Sequence, residues 1–273
     1  MPPFRNTEKA EKGLGALKFP QMQLGILAIF LYVGGEVAAG SFLIDFLKED
    51  SVLGLSKEVA TGLLSYYWGG LMIGRLLGAI SLSTKLKQSQ KTLIMAAVAI
   101  GCFLFIYSVT GIGIDKGKFS FAPIPLKELG IYMLLIGLNY AGLLWGKNAP
   151  AKALVIFSAM NVALLLIASF ASGHLAAWSA IGVGLFCSIM WSNIFTLSIK
   201  GLGKYTSQGS SLLIMAVVGG AFIPPLQAQF ADASGSFQLS YIVPALCFVY
   251  IAFFGWRVQR ISATNQDTSS HEK

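Results

Sequence analysis

The sequence predicts an all-α, polytopic bundle of about eight membrane-spanning helices. Composition is the first reason: of 273 residues, 55% are hydrophobic and only 12% are charged, where an ordinary soluble domain carries about 25% charge. Patterning is the second, because the apolar residues fall in long runs and a spanning helix needs about 20 of them. The third is charge placement: Lys and Arg collect in the gaps between runs. Mean hydropathy is +0.69. A soluble chain of this size would need far more polar surface, so lipid must solvate much of the side-chain surface.

Taken in order, the runs lie at about 22–47, 59–83, 92–112, 129–146, 153–172, 175–199, 209–230 and 239–256. The fourth is short and reads as a span or a re-entrant segment. Open strands are excluded within the runs, because unpaired backbone groups in hydrocarbon are too costly. The leader 1–20 is polar and reads as a cytoplasmic linker. No cleavable signal peptide is expected, since the first apolar run is too long for one. Segment 113–128 is the longest polar interruption and is assigned outside. The tail 259–273 has no apolar period and is expected to be disordered and cytoplasmic.

Charge orients the chain. With a cytoplasmic N-terminus, inner segments hold fourteen cations (Arg5, Lys9, Lys12, Lys18, Lys85, Lys87, Lys91, Lys147, Lys152, Lys200, Lys204, Arg257, Arg260 and Lys273). Outer segments hold five: Lys48, Lys57, Lys116, Lys118 and Lys127. Both termini are therefore expected inside, with an even number of spans. The net charge of +8 follows from this topology, and no nucleic-acid partner is expected. Cys102, Cys187 and Cys247 lie inside apolar runs without paired spacing and read as small apolar residues.

Glu36 is the sharpest signal. It sits mid-span in FLYVGGEVAAGSFL, where a carboxylate costs at least a few kcal/mol and must face a cavity or a partner. Either it binds a polar substrate or moves a proton, or it pairs with Arg75 or another helix and holds the bundle. Gly34, Gly35 and Gly40 permit close approach beside it. Asp45, at the outer end of the span, is an ordinary headgroup-level acid.

In the second span Gly70, Gly74 and Gly78 form a small-residue row at helical spacing, which lets a neighbour pack tightly. Tyr67 and Arg75 share another face. Arg75 is read as a gating or structural group that reaches the cytoplasmic interface or caps helix ends. Tyr66, Tyr67 and Trp68 read as an aromatic belt or a sugar-stacking surface. In the sixth span Ser188, Trp191, Ser192 and Asn193 bring polar groups and an indole into an apolar helix. They suit a pyranose, or interhelical hydrogen bonding worth about 1 kcal/mol. In the seventh, Pro224 and Pro225 must break or kink the helix, Gly219 and Gly220 supply a hinge, and Gln227 lies just beyond. The reading is a moving, cavity-lining helix. No catalytic, metal or cofactor motif is present, so an enzyme is not expected.

The stretches FLYVGGEVAAGSFL (30–43), YWGGLMIGRLLGA (67–79), GLGKYTSQGSSLLIMAVVGGAFIPPLQ (201–227) and SYIVPALCFVYIAFFGW (240–256) resemble, in order, the seventh, eighth, eleventh and twelfth helices of the bacterial fucose/glucose–galactose proton symporters. Those belong to the major facilitator superfamily. The span 175–199 is similar to the tenth helix. The resemblance covers roughly 22–91 and 150–258 and implies a six-helix C-terminal half, with 92–149 as an inserted helix pair. It implies a multi-pass protein of the bacterial inner membrane that moves a monosaccharide with a proton by alternating access. It places Glu36 on a helix facing the central cavity, Trp191 and Asn193 on the cavity-side tenth helix, and Arg75 at the superfamily's gating motif. Together with the residue readings above, Glu36, Tyr67, Trp191, Asn193 and Gln227 are the substrate-binding or proton-linked candidates, and Arg75, Gly70, Gly74, Gly78, Pro224 and Pro225 the gating or structural ones.

Three departures bear on this. The family's first six helices, which hold the carboxylates credited with proton coupling, have no counterpart here. The inserted pair is extra. Cys187 stands where many relatives carry Asn, and Ser192 where they carry Pro. The leader MPPFRNTEKAEKG is similar to the linker between family halves, so the chain is expected to be a truncated or split product, inactive without a six-helix partner. The alternatives are a homodimeric half-size transporter and a non-transporting membrane scaffold or sensor.

Overall fold

The computed structural model describes residues 14–83, 87–115, 118–121, 124–146 and 149–271. The leader expected as a linker lies outside them as far as residue 13. Within them, each of the eight runs becomes a helical unit. The first pairs α1 (Pro20–Ser41) with α2 (Leu43–Lys48). Next come α3 (Lys57–Leu82), α4 (Gln88–Gly111), α5 (Gly130–Trp145) and α6 (Pro150–Phe170). The sixth unit is α7 (Gly173–Cys187) with α8 (Met190–Ile199). The seventh is α9 (Thr206–Met215) with α10 (Gly219–Ser234), and the last is α11 (Phe237–Ser240) with α12 (Ile242–His271). Pro20 and Pro150 each open a helix, a position where the missing N–H is not needed.

Six of the units are long and apolar enough to cross a membrane, beginning with Pro20–Lys48 and ending with Phe237–Ile261. The other two differ for physical reasons. Tyr66, Tyr67, Trp68, several glycines and Arg75 dilute the apolar character of α3. At 16 residues, α5 rises only about 24 Å.

Four local features depart from the sequence reading. The polar interruption after α4 carries a two-stranded antiparallel hairpin, β1 (Ile112–Asp115) against β2 (Lys118–Phe121). The sixth run is interrupted at Ser188–Ile189, where no proline or glycine stands. The prolines do not break α10. The irregularity falls earlier, as a 3-10 turn at Ala216–Val218, beside the close crossing of Gly219 over Phe30; the prolines free the carbonyls of Gly220 and Ala221, which lie after it. Finally, α12 runs to His271, through most of the tail expected to be disordered from 259. Extending an existing helix costs far less than nucleating one.

Lipid gives helices no hydrophobic reason to associate, so contact depends on small residues and close packing. The first unit is central: α1 packs against α8, α10 and α12. A Cβ added at Gly219 would stand 1.9 Å from the Phe30 carbonyl, and one at Gly34 would stand 2.2 Å from Ile223. The row on α3 does the same against α7 and its interruption. Added Cβ atoms at Gly70, Gly74 and Gly78 would meet Leu185, Ser188 and Ile189 at 3.1, 2.1 and 2.7 Å. Buried Ser158, Ser169 and Ser198 each donate to the carbonyl four residues back on their own helix, which satisfies hydroxyls that lipid could not.

The inserted pair is integrated with the bundle. Tyr132 on α5 donates to the Tyr66 carbonyl at 2.8 Å, and Asn139 donates to the Leu185 carbonyl at 2.7 Å. Both side chains are fully buried.

Candidate functional site

Glu36 lies on the inward face of α1, its side chain 12% exposed. One turn earlier on the same face, the Tyr32 hydroxyl donates to Glu36 Oε2. Across the interface, Arg75 Nη2 is 3.6 Å from Glu36 Oε1. Tyr67, fully buried, donates its hydroxyl to the Glu36 backbone carbonyl at 2.7 Å. The carboxylate therefore has a phenol and a guanidinium beside it, in keeping with the rule that ionisable groups inside membranes are partnered. Opposite charge and a donated hydrogen bond both favour the ionised form, whereas enclosure opposes it.

The interruption in the sixth unit meets this cluster. The Tyr32 hydroxyl also lies 3.0 Å from the carbonyl of Cys187, the last residue of α7. Asn161 Nδ2 is 3.3 Å from Cys187 Sγ. Ser188 and Ser192 donate to the carbonyls three residues before them, leaving their oxygen lone pairs free to accept. A cleft of about 590 Å³ opens here, lined by Arg75, Gly78, Ser188, Ile189, Trp191 and Ser192. Trp191 is 37% exposed and stacks on Phe195 at 5.1 Å, so one indole face is taken. The cleft thus offers a cation, hydroxyl acceptors and an aromatic surface, the mixture that suits a polar ligand in a mostly apolar concavity.

No family model matches the chain. The chain is 33% identical over 240 residues to a glucose/galactose transporter of Brucella abortus, covering 88% of this chain and 43% of that protein. It is 31% identical over 234 residues to a putative glucose/galactose transporter of Helicobacter pylori, covering 84% and 42%. A shorter stretch of 117 residues is 38% identical to the L-fucose-proton symporter of Escherichia coli, covering 43% and 26%. The crystal structure of the E. coli fucose:proton symporter superposes with a TM-score of 0.59 at 24% identity, over 89% of this chain and 43% of that one. A major facilitator transporter, FucP, in the outward conformation gives 0.60 at 23%, over 94% and 49%.

The fold is that of half a major facilitator transporter. The chain is a multi-pass membrane protein and a relative of proteins named as sugar transporters, and the resemblance read from the sequence holds. It spans less than half the length of the glucose/galactose transporters it matches.

Within this fold, the expected site residues separate into groups. Glu36, Tyr67 and Arg75 meet, and Trp191 lines the adjoining cleft. Arg75 faces the acid. The Tyr67 ring is enclosed and acts as a strut, so the exposed aromatic on α3 is its neighbour Trp68, 45% exposed and edge-on to Tyr67 at 5.2 Å. Asn193 is buried next to the cleft rather than lining it. Gln227 lies elsewhere. It is fully buried and donates to Ser240 Oγ at 3.1 Å, at the corner between α10 and α11. Asp45 pairs with Lys48 at 3.1 Å on the surface.

Two participants escaped the sequence reading. Tyr32 carried a usable signal, since it precedes Glu36 by one helical turn and shares its face. The Cys187 carbonyl carried none, because the interruption that frees it has no marker residue.

Proposed function

We propose that the chain forms one wall of a monosaccharide path in a bacterial inner membrane, with both termini cytoplasmic, and that transport is proton symport by alternating access. The observation that carries this reading is Glu36. An acid enclosed in a membrane bundle, partnered by Tyr32 and Arg75 and adjoining a polar cleft at a broken helix, is the arrangement expected of an ion or substrate pathway. The names of the relatives supply the substrate class. The other wall comes from a second helical unit, whether on the same longer protein or on another chain.

The test is uptake of labelled glucose, galactose or fucose by proteoliposomes under an inward proton gradient. The chain alone is expected to give none. Co-reconstitution with the first six helices of a glucose/galactose relative is expected to give uptake that a protonophore collapses. Glu36→Gln in that pair should lose gradient-driven accumulation yet retain sugar counterflow. Uptake by the chain alone would favour a homodimer and remove the need for a separate partner. Unchanged accumulation in Glu36→Gln would leave the Glu36–Arg75 pair as a bundle fastener only.

A further inference from the structure

We propose that Tyr32 is the positioning residue through which the interruption between α7 and α8, and with it the cleft, responds to a proton on Glu36. This deepens the reading of Glu36 as proton-linked and rests on it.

A tyrosine hydroxyl has one hydrogen to give. Tyr32 has two acceptors within reach: Glu36 Oε2 and the Cys187 carbonyl, the latter at 3.0 Å. Both cannot take that hydrogen fully at once. When Glu36 is a carboxylate it is acceptor-only, so it takes the Tyr32 hydrogen and holds Arg75 by charge. The Cys187 carbonyl then loses its donor. When Glu36 binds a proton, its own O–H donates to Tyr32 Oη. The phenol hydrogen turns to the Cys187 carbonyl, and the charge that held Arg75 is gone. One proton is added to Glu36, and no other covalent bond is made or broken.

The neighbours leave this exchange to Tyr32. From its own helix, Glu36 meets Tyr32. From α3 it meets Arg75 and Tyr67, and the Tyr67 hydroxyl is already committed to the Glu36 backbone at 2.7 Å. From α7 the nearest group is Cys187, whose sulfur faces Asn161. On α12, Cys247 and Phe248 approach Gly35 rather than the acid.

Both ends of the exchange reach the cleft. Arg75, its side chain 57% exposed, lines it directly. Ser188, the residue after Cys187, lines it from the interruption, with Trp191 three positions on. A change in the bonding of the Cys187 carbonyl, at the junction with α8, therefore reaches the indole through α8.

The full chain in lipid nanodiscs is labelled with fluorotryptophan, and the Trp191 fluorine resonance is assigned by its loss in Trp191→Phe. Infrared spectroscopy follows the Glu36 carboxyl band, assigned by its loss in Glu36→Gln. The Trp191 resonance is expected to move with pH at the same midpoint as the carboxyl band. Glu36→Gln, whose amide donates at every pH, should hold it at the acidic position. In Tyr32→Phe the carboxyl band should still titrate while Trp191 no longer follows. A Trp191 response that survives in Tyr32→Phe overturns the proposal, as does an alkaline position in Glu36→Gln or a wild-type resonance that ignores pH. Glu36→Gln keeps the side-chain shape, so the test stands even where Tyr32→Phe fails to fold. A carboxyl band that never titrates sinks the proton reading of Glu36 itself, a separate failure.

Discussion

Glu36 and Arg75 face each other at 3.6 Å, and the balance between them decides what each substitution does. Arg75 is more than half exposed on the cleft, so its pairing is screened and worth less than a sealed ion pair. Arg75→Met is expected to destabilise the bundle by about 1 kcal/mol, because it leaves the enclosed carboxylate with Tyr32 as its side-chain partner. Adding Glu36→Gln should restore most of that loss, which a double-mutant cycle of thermal unfolding in one detergent would read out. Equal losses that simply add would show that the pair is not coupled. Glycine offers a second contrast. A Cβ at Gly184 would stand 2.2 Å from the Tyr67 carbonyl, a backbone atom, whereas Gly62 has nothing within 4 Å. Gly184→Ala should cost about 1–3 kcal/mol as overpacking. Gly62→Ala should be neutral or stabilise by up to about 1 kcal/mol through helix propensity. The same thermal measurement separates the two.

At the scale of the helix, irregularity does not sit at the residues that most disfavour a helix. Pro224 and Pro225 sit inside α10, yet the distorted turn is Ala216–Val218. Pro224→Ala with Pro225→Ala is expected to leave amide exchange across 216–218 unchanged, because the close crossing of Gly219 over Phe30 lies nearer that turn; slowed exchange there would assign the distortion to the prolines. These elements also show what a sequence can and cannot reveal. All eight helical units were legible, because lipid imposes both length and apolar composition on a span. The glycine row on α3 was legible too, since spacing alone puts Gly70, Gly74 and Gly78 on one face. The gap at Ser188–Ile189 was not. Tyr32 meets the Cys187 carbonyl and Asn139 the Leu185 carbonyl from other helices, contacts that leave no local mark, while Ser188 and Ser192 bond back to the backbone as serines in unbroken helices also do. Gln227 misled for the opposite reason: its polarity is used at a helix corner, by Ser240.

For the whole molecule, sidedness is the property that charge placement addresses. Lys87, Lys91, Lys152, Lys200 and Lys204 lie at one set of helix ends and connections, and Lys48, Lys57 and Lys127 at the other. Ser270→Cys should react with a membrane-impermeant maleimide only after permeabilisation, whereas Asp50→Cys should react in intact cells. The reverse pattern would invert the bundle. Which helices line the cleft was partly legible, through the resemblance of 175–199 and 67–79 to transporter helices. Arg75 as a partner of Glu36 was one of the two sequence readings; the Tyr32 and Tyr67 hydroxyls were not legible, because their bonds depend on how the helices cross.

Every residue of α7 from Ala176 to Cys187 is buried, although the helix is too apolar throughout to present a distinct polar edge. Such a helix is an axle: neighbours on all sides fix it, and any rocking must be taken up beyond its end, by the ten residues of α8. A saturation mutagenesis screen scored for folded protein should therefore find almost nothing larger or more polar tolerated through Met190, and beyond it wide replacement only on the exposed face, at Trp191, Ser192 and Thr196.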